Sequence, residues 1–171
     1  MSKQATKEKK IKKTDNILND YKLVCKSREM SLLGRKEVLT GKAKFGIFGD
    51  GKELPQLALS KHFKDGDFRS GYYRDQTIMM AIGELTVEQF FAQLYANPDT
   101  EKDPNSGGRQ MNAHFATRLI DDEGNWVDQT AQKNTSADMS PTAGQMARLL
   151  GLAQASKVYR ENDLLSDWEQ F

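Results

Sequence analysis

Residues 68–98 read FRSGYYRDQTIMMAIGELTVEQFFAQLYANP, and this stretch decides the fold. FRSGYYR reads as a short strand whose end presents Tyr73 and Arg74, and a helix is expected over residues 75–82. The second half is the clearest helix in the chain. Thr86 and Gln89 stand at capping-box spacing, Phe90, Phe91, Leu94 and Tyr95 supply one apolar face, and Asn97-Pro98 stops it. Strand and helices in such close succession point to the α/β class.

Upstream, residues 44–63 read KFGIFGDGKELPQLALSKHF, in which Gly46, Gly49 and Gly51 allow a tight backbone before Pro55 opens a short helix. A glycine-rich loop feeding a helix can cradle an anion, but this spacing matches neither a Walker loop nor a dinucleotide fingerprint. A plain turn is the expectation, with Asp65-Gly66 closing the helix. Farther back, Ile17, Leu18, Tyr21, Val24 and Cys25 recur at helical spacing. They predict a long amphipathic helix capped by Thr14 or Asp15, ending near Gly41 and burying Cys25 as a core thiol. Residues 1–13 carry six lysines and one glutamate, a local charge of +5, and read as a disordered basic tail.

Downstream, residues 97–139 form 43 residues almost without periodicity, which reads as a lid, an interface segment or a partly disordered loop. They contain GGRQMNAHF, residues 107–115, and an acidic group, Asp121, Asp122 and Glu123, that beside Gly124 reads as a solvated turn. Ser140 and Pro141 are placed to cap and start a last helix running to about Arg160. Ala147, Gly151 and Ala155 lie four apart along it, a spacing that predicts burial in a core or subunit interface. Trp168 and Phe171 suggest an unfinished element at the C-terminal end.

The 171 residues are enough to bury one ordinary core, and no apolar run approaches the roughly 20 residues needed to cross a bilayer. Lys and Arg number 25 against 24 Asp and Glu, so that outside the basic segment the net charge is −4, which argues against nucleic acid as a partner. One cysteine excludes an intrachain disulfide and fits a reducing cytoplasm. His62 and His114 have no neighbour at ligand spacing and read as ordinary core or surface histidines. No complete catalytic constellation is visible, and the residues alone describe an α/β domain with an anion-friendly arginine.

Three segments in this order and spacing carry a resemblance: residues 72–97, the GGRQMNAHF segment, and SPTAGQMARLLGLAQASK at residues 140–157. Together they resemble the α-subunit of the thiamine diphosphate-dependent decarboxylating component of 2-oxo acid dehydrogenases. The branched-chain type fits better than the pyruvate type because of the GRQM and SP motifs, over about residues 20–160. The resemblance implies the N-terminal part of a doubly wound, mainly parallel α/β fold with a long active-site loop, the body being residues 14–171. It implies oxidative decarboxylation of branched-chain 2-oxo acids with acyl transfer to a lipoyl carrier, of which this chain supplies half of the cofactor site.

Carried over residue by residue, the resemblance puts the diphosphate on Arg74 with Tyr73 close by, and the aminopyrimidine ring on the backbone of Ser140, Pro141 and Thr142. Phe45 is placed near the cofactor on the substrate side. It implies no catalytic residue and no metal ligand here: the magnesium ligands are expected beyond residue 171. Met139 and Gly144 stand where hydroxyl side chains would hold potassium in relatives. Implied partners are a β-subunit or fused β-domain and a lipoyl acyltransferase, in a homo-oligomer or heterotetramer, with neither nucleic acid nor membrane. The rival reading is a truncated, non-catalytic relative that serves as an interaction or scaffold protein.

Overall fold

The computed structural model describes residues 3–162, with side chains described from residue 15 onward. Among these residues five helices and two strands run in the order α1 (Lys3–Leu39), α2 (Glu53–Ser60), β1 (Phe68–Ser70), α3 (Gln76–Ala81), α4 (Val87–Leu94), β2 (Asn134–Ser136) and α5 (Gly144–Glu161). Helix α1 begins ahead of both Thr14 and Asp15, the caps expected from sequence, because the Lys, Gln, Ala and Glu residues before them are themselves good helix formers. The C-terminal stretch with Trp168 and Phe171 lies outside the described residues. No helix among the described residues is long and apolar enough to cross a membrane.

The buried face of α1 corrects the amphipathic pattern. Ile17, Leu18 and Tyr21 are exposed and Cys25 is only half-buried, whereas Ser27, Met30, Ser31 and Glu37 face the interior. Short side chains win there because α3 crosses close by. The hydroxyls of Ser27 and Thr77 lie 2.7 Å apart, and a Cβ on Gly34 would sit 2.3 Å from the Phe48 ring. These buried hydroxyls are tolerable because each is hydrogen-bonded. Ion pairs fasten α1 to the glycine loop and α2: Arg28 to Glu53 at 2.6 Å, Arg35 to Asp50 at 2.5 Å, and Asp20 to Lys61 just past the end of α2.

Met30, Ile78, Met79, Leu85, Phe90, Ala113 and Phe115 form the core, with Phe48, Met80, Ile82, Val87 and Phe91 against it. Each fully buried large side chain contributes about 1.5–3 kcal/mol. Helix α4 starts as the sequence predicts: the Thr86 hydroxyl accepts the Gln89 N–H and the Gln89 side chain accepts the Thr86 N–H. It ends at Leu94, before the expected Asn97-Pro98 stop, with Ala96 at φ 55° turning the chain.

Residues 97–139 are not a separate lid. Asn112, Ala113, Phe115, Asn134 and Thr135 are all buried, so the segment supplies part of the core and strand β2. Periodicity is absent because its burial comes from isolated polar anchors. Asp103 accepts hydrogen bonds from the Ser106 hydroxyl and the Gly108 N–H, and the Asn134 amide donates to the carbonyls of Gln129 and Gln132. The acidic group is the expected turn: Asp121 accepts the N–H of Glu123 and of Asn125, with Gly124 at φ 88°.

Strands β1 and β2 pair in parallel, Phe68 opposite Asn134 and Ser70 opposite Ser136, which gives a helix-rich α/β arrangement with a two-stranded sheet among the described residues. Helix α5 packs on β1 at its first turn, where the Ser70 hydroxyl donates to the Gln145 carbonyl at 2.9 Å. Beyond that turn none of its residues is buried within the chain, so its small-residue face is not part of this core. It starts at Gly144 rather than at Ser140 and Pro141, because Ala143 takes a left-handed conformation, φ 66°, that interrupts the helix there.

Candidate functional site

Two arginines five residues apart in FRSGYYR have different fates. Arg69 is buried and forks onto Asp138, 3.0 Å from Oδ2, with Asp75 at 3.4 Å. This is a structural ion pair tying β1 to the segment after β2. Burial pushes the Asp138 carboxyl up to about 6, against the pull of the adjacent Arg69 guanidinium. Arg74, by contrast, has no carboxylate partner among the described residues. Its guanidinium carbon lies 5.0 Å from the ring centre of Tyr72 and 5.2 Å from that of Tyr73, and its Nε is buried without a hydrogen-bond partner.

The surroundings of Arg74 are hydroxyls and one imidazole. The hydroxyl oxygens of Tyr72 and Tyr73 lie 2.7 Å apart, and Tyr72 reaches Thr142 Oγ1 at 3.5 Å. The Thr142 hydroxyl, then that of Tyr73, and the Arg74 charge hold the Tyr72 phenol below its ordinary range, while the hydrogen bond with Tyr72 raises Tyr73. The Tyr73 ring stacks on His114 at 5.8 Å. His114 Nε2 lies 2.8 Å from the Ser140 hydroxyl and Nδ1 lies 3.3 Å from the Asn112 carbonyl. A carbonyl only accepts, so Nδ1–H donates to Asn112, and Nε2 hydrogen-bonds the Ser140 hydroxyl.

Of the residues singled out from sequence, Tyr73, Arg74, Ser140 and Thr142 thus meet in one place, with Pro141 between the last two and exposed. Phe45 does not join them through any hydrogen bond or ring contact, and its side chain is half exposed. The loop it opens is nevertheless tied to the site. Ile47 exchanges two backbone hydrogen bonds with the Asn112 amide, at 3.0 and 2.7 Å, and Gly49 packs on the Arg74 carbonyl. The loop is therefore more than the plain turn expected.

His114 and Tyr72 were not legible as members of this cluster. The imidazole is set there by a residue 26 positions later in the chain, a pairing no local spacing reveals. Its place inside GGRQMNAHF was the one available signal. Chemically the site is a cation flanked by aromatic faces and hydroxyls, suited to an anionic group. Among the described residues no group of three or more His, Cys, Asp or Glu could hold a metal ion.

No protein-family model matches the sequence. Over 124 residues, 72% of the chain, it is 27% identical to the 2-oxoisovalerate dehydrogenase subunit alpha of Bacillus subtilis (strain 168). The matched part amounts to 32% of that protein, so the chain spans about a third of its relative's length. The similarity is distant and relates the chain to an α-subunit of a branched-chain 2-oxo acid dehydrogenase.

Proposed function

We propose that this chain contributes part of the thiamine diphosphate site of a branched-chain 2-oxo acid dehydrogenase, as a portion of its decarboxylating component. The observation that carries the reading is Arg74: a cation with no carboxylate partner among the described residues, an orphaned buried Nε, and the rings of Tyr72 and Tyr73 over it, with the Thr142 hydroxyl beside Tyr72. Such a group fits the diphosphate end of the cofactor, and each charge-assisted hydrogen bond from it is worth about 1.5–3 kcal/mol. The turn of Ser140, Pro141 and Thr142, all three exposed, is assigned to the aminopyrimidine ring, and Phe45 to the substrate side.

Bound there, the cofactor supplies an electron sink for decarboxylation. This chain's residues do the holding. Arg74 neutralises anionic charge, the Tyr72 and Tyr73 rings beneath its guanidinium fix its place, and His114, stacked on Tyr73, orients the Ser140 hydroxyl and so the turn beyond it. The assembly proposed is cytoplasmic and oligomeric, with a β-subunit or fused β-domain and a lipoyl acyltransferase as partners. Residues 14–171 are its doubly wound body and residues 1–13 a basic extension.

Nuclear magnetic resonance titration of the chain with thiamine diphosphate and magnesium tests this. Perturbations should gather on residues 72–74, 114 and 140–142, with a dissociation constant of about millimolar or weaker, because one arginine cannot balance a diphosphate. Arg74→Ala should weaken that binding by about ten-fold or more with little change in melting temperature. A large melting loss with unchanged affinity would make Arg74 a structural residue. Micromolar binding would show a complete site and end the half-site reading.

A further inference from the structure

Arg74 is held from behind by side chains that never face the site. Gln56, in α2 and 9% exposed, donates its amide hydrogen to the Arg74 carbonyl at 3.0 Å and accepts the Ile78 N–H at 3.1 Å. Helix α3 needs that acceptor. Its N-cap residue Asp75 makes no side-chain cap, because the carboxylate accepts the Tyr72 N–H at 2.9 Å and faces Arg69. On the other side of the same carbonyl, Gly49 packs so closely that a Cβ would lie 2.3 Å from the oxygen. Gly49 is itself fixed by its N–H, which donates to Gln76 Oε1 at 3.1 Å. The Gln76 amide in turn donates to the Ser31 hydroxyl at 2.6 Å and the Ser27 carbonyl at 3.2 Å, both on α1.

We propose that Gln56 and Gln76 are positioning residues that clamp the Arg74 carbonyl between α2 and the glycine loop, and so set the guanidinium over Tyr72 and Tyr73 for an incoming anion. The clamp deepens the assignment of Arg74 as an anion contact and rests on it. A buried glutamine suits the task because one amide group both donates and accepts, so one side chain ties the residue carrying the cation to the first turn of the next helix. Gln76, fully buried with every polar atom satisfied, transmits the position of α1 to the same point. Three elements distant in sequence thus converge on one peptide unit.

Two variants separate positioning from capping. Gln56→Glu keeps an acceptor for Ile78 but cannot donate to the Arg74 carbonyl when ionised, whereas Gln56→Met keeps the volume and loses both bonds. Two readouts are taken on the full chain. One is the Arg74 Nε–H resonance, which lies under the ring currents of both tyrosines and is identified by its loss in Arg74→Lys. The other is the dissociation constant for inorganic pyrophosphate.

Both Gln56 variants should move that resonance and weaken pyrophosphate about five-fold or more. Adding either to Arg74→Ala should weaken it no further. An unmoved resonance in folded Gln56→Glu and Gln56→Met, with only a lower melting temperature, would make Gln56 a cap for α3 and overturn the clamp. If Arg74→Ala leaves pyrophosphate binding unchanged, the anion assignment fails by itself, and the resonance still decides whether the clamp exists.

Discussion

Replacing Gly49 by alanine puts a methyl group 2.3 Å from the carbonyl oxygen of Arg74 and 3.1 Å from its carbonyl carbon, where ordinary contact begins at 3.4 Å. The oxygen must retreat by about 1 Å, and it is a backbone atom tied to Gln56, so no flexible side chain can absorb the move. Overpacking of this kind costs about 1–3 kcal/mol, and losing the Gln56 hydrogen bond adds about 1 kcal/mol. For a chain of this size the sum lowers the melting temperature by about 5–10 °C. Gly151 provides the control. It lies in exposed helix α5 with nothing within 4 Å of a built Cβ, so Gly151→Ala should stabilise the chain by about 0.5–1 kcal/mol. Urea denaturation and thermal melting of both variants measure the contrast. A Gly49→Ala protein melting within about 1 °C of the parent would refute the close approach of the glycine loop to Arg74.

Two further outcomes test the frame around the site. The raised Asp138 carboxyl, about 6 when folded against about 3.9 unfolded, binds a proton in the native state that the unfolded chain has already released. Its contribution is therefore complete below about pH 4 and lost as pH rises through about 6, on the order of 3 kcal/mol. Denaturation from pH 4 to 7 should show stability falling relative to Asp138→Asn, which keeps an acceptor for the Phe115 N–H; parallel profiles would contradict the shift. Thr86→Ala removes the hydroxyl half of the α4 capping box and should cost about 1 kcal/mol by chemical denaturation, whereas no loss would mean that packing of Phe90 alone secures the helix start.

What the sequence determined by itself was local. The α4 capping box needs residues three apart, and the Asp121 turn needs residues two and four apart. Both are written in adjacent letters and form as read. The strand before Tyr73 and Arg74 was legible for the same reason, and so was the end of α1 near Gly41, which turns at φ 78°. Tyr73, Arg74, Ser140 and Thr142, which the resemblance singles out, lie near one another in the fold, linked through Tyr72 and His114. Phe45 remains apart from them.

The tertiary structure decided everything that depends on partners far along the chain. Arg69 and Arg74 look alike in sequence. Only the return of the chain at Asp138, 69 residues on, makes the first an ion-paired strut, while the second stays free of carboxylates among the described residues. The interior face of α1 escapes a sequence reading for the same reason. An apolar period marks which residues could be buried, but the close crossing of α3 draws in Ser27 and Ser31 beside Met30, and Ile17, Leu18 and Tyr21 stay in the open. His114 became part of a site, and residues 97–139 part of a core, through hydrogen bonds and contacts across tens of residues. Periodicity records how one element meets a surface, whereas the identity of that surface is set by chain segments that no local window contains.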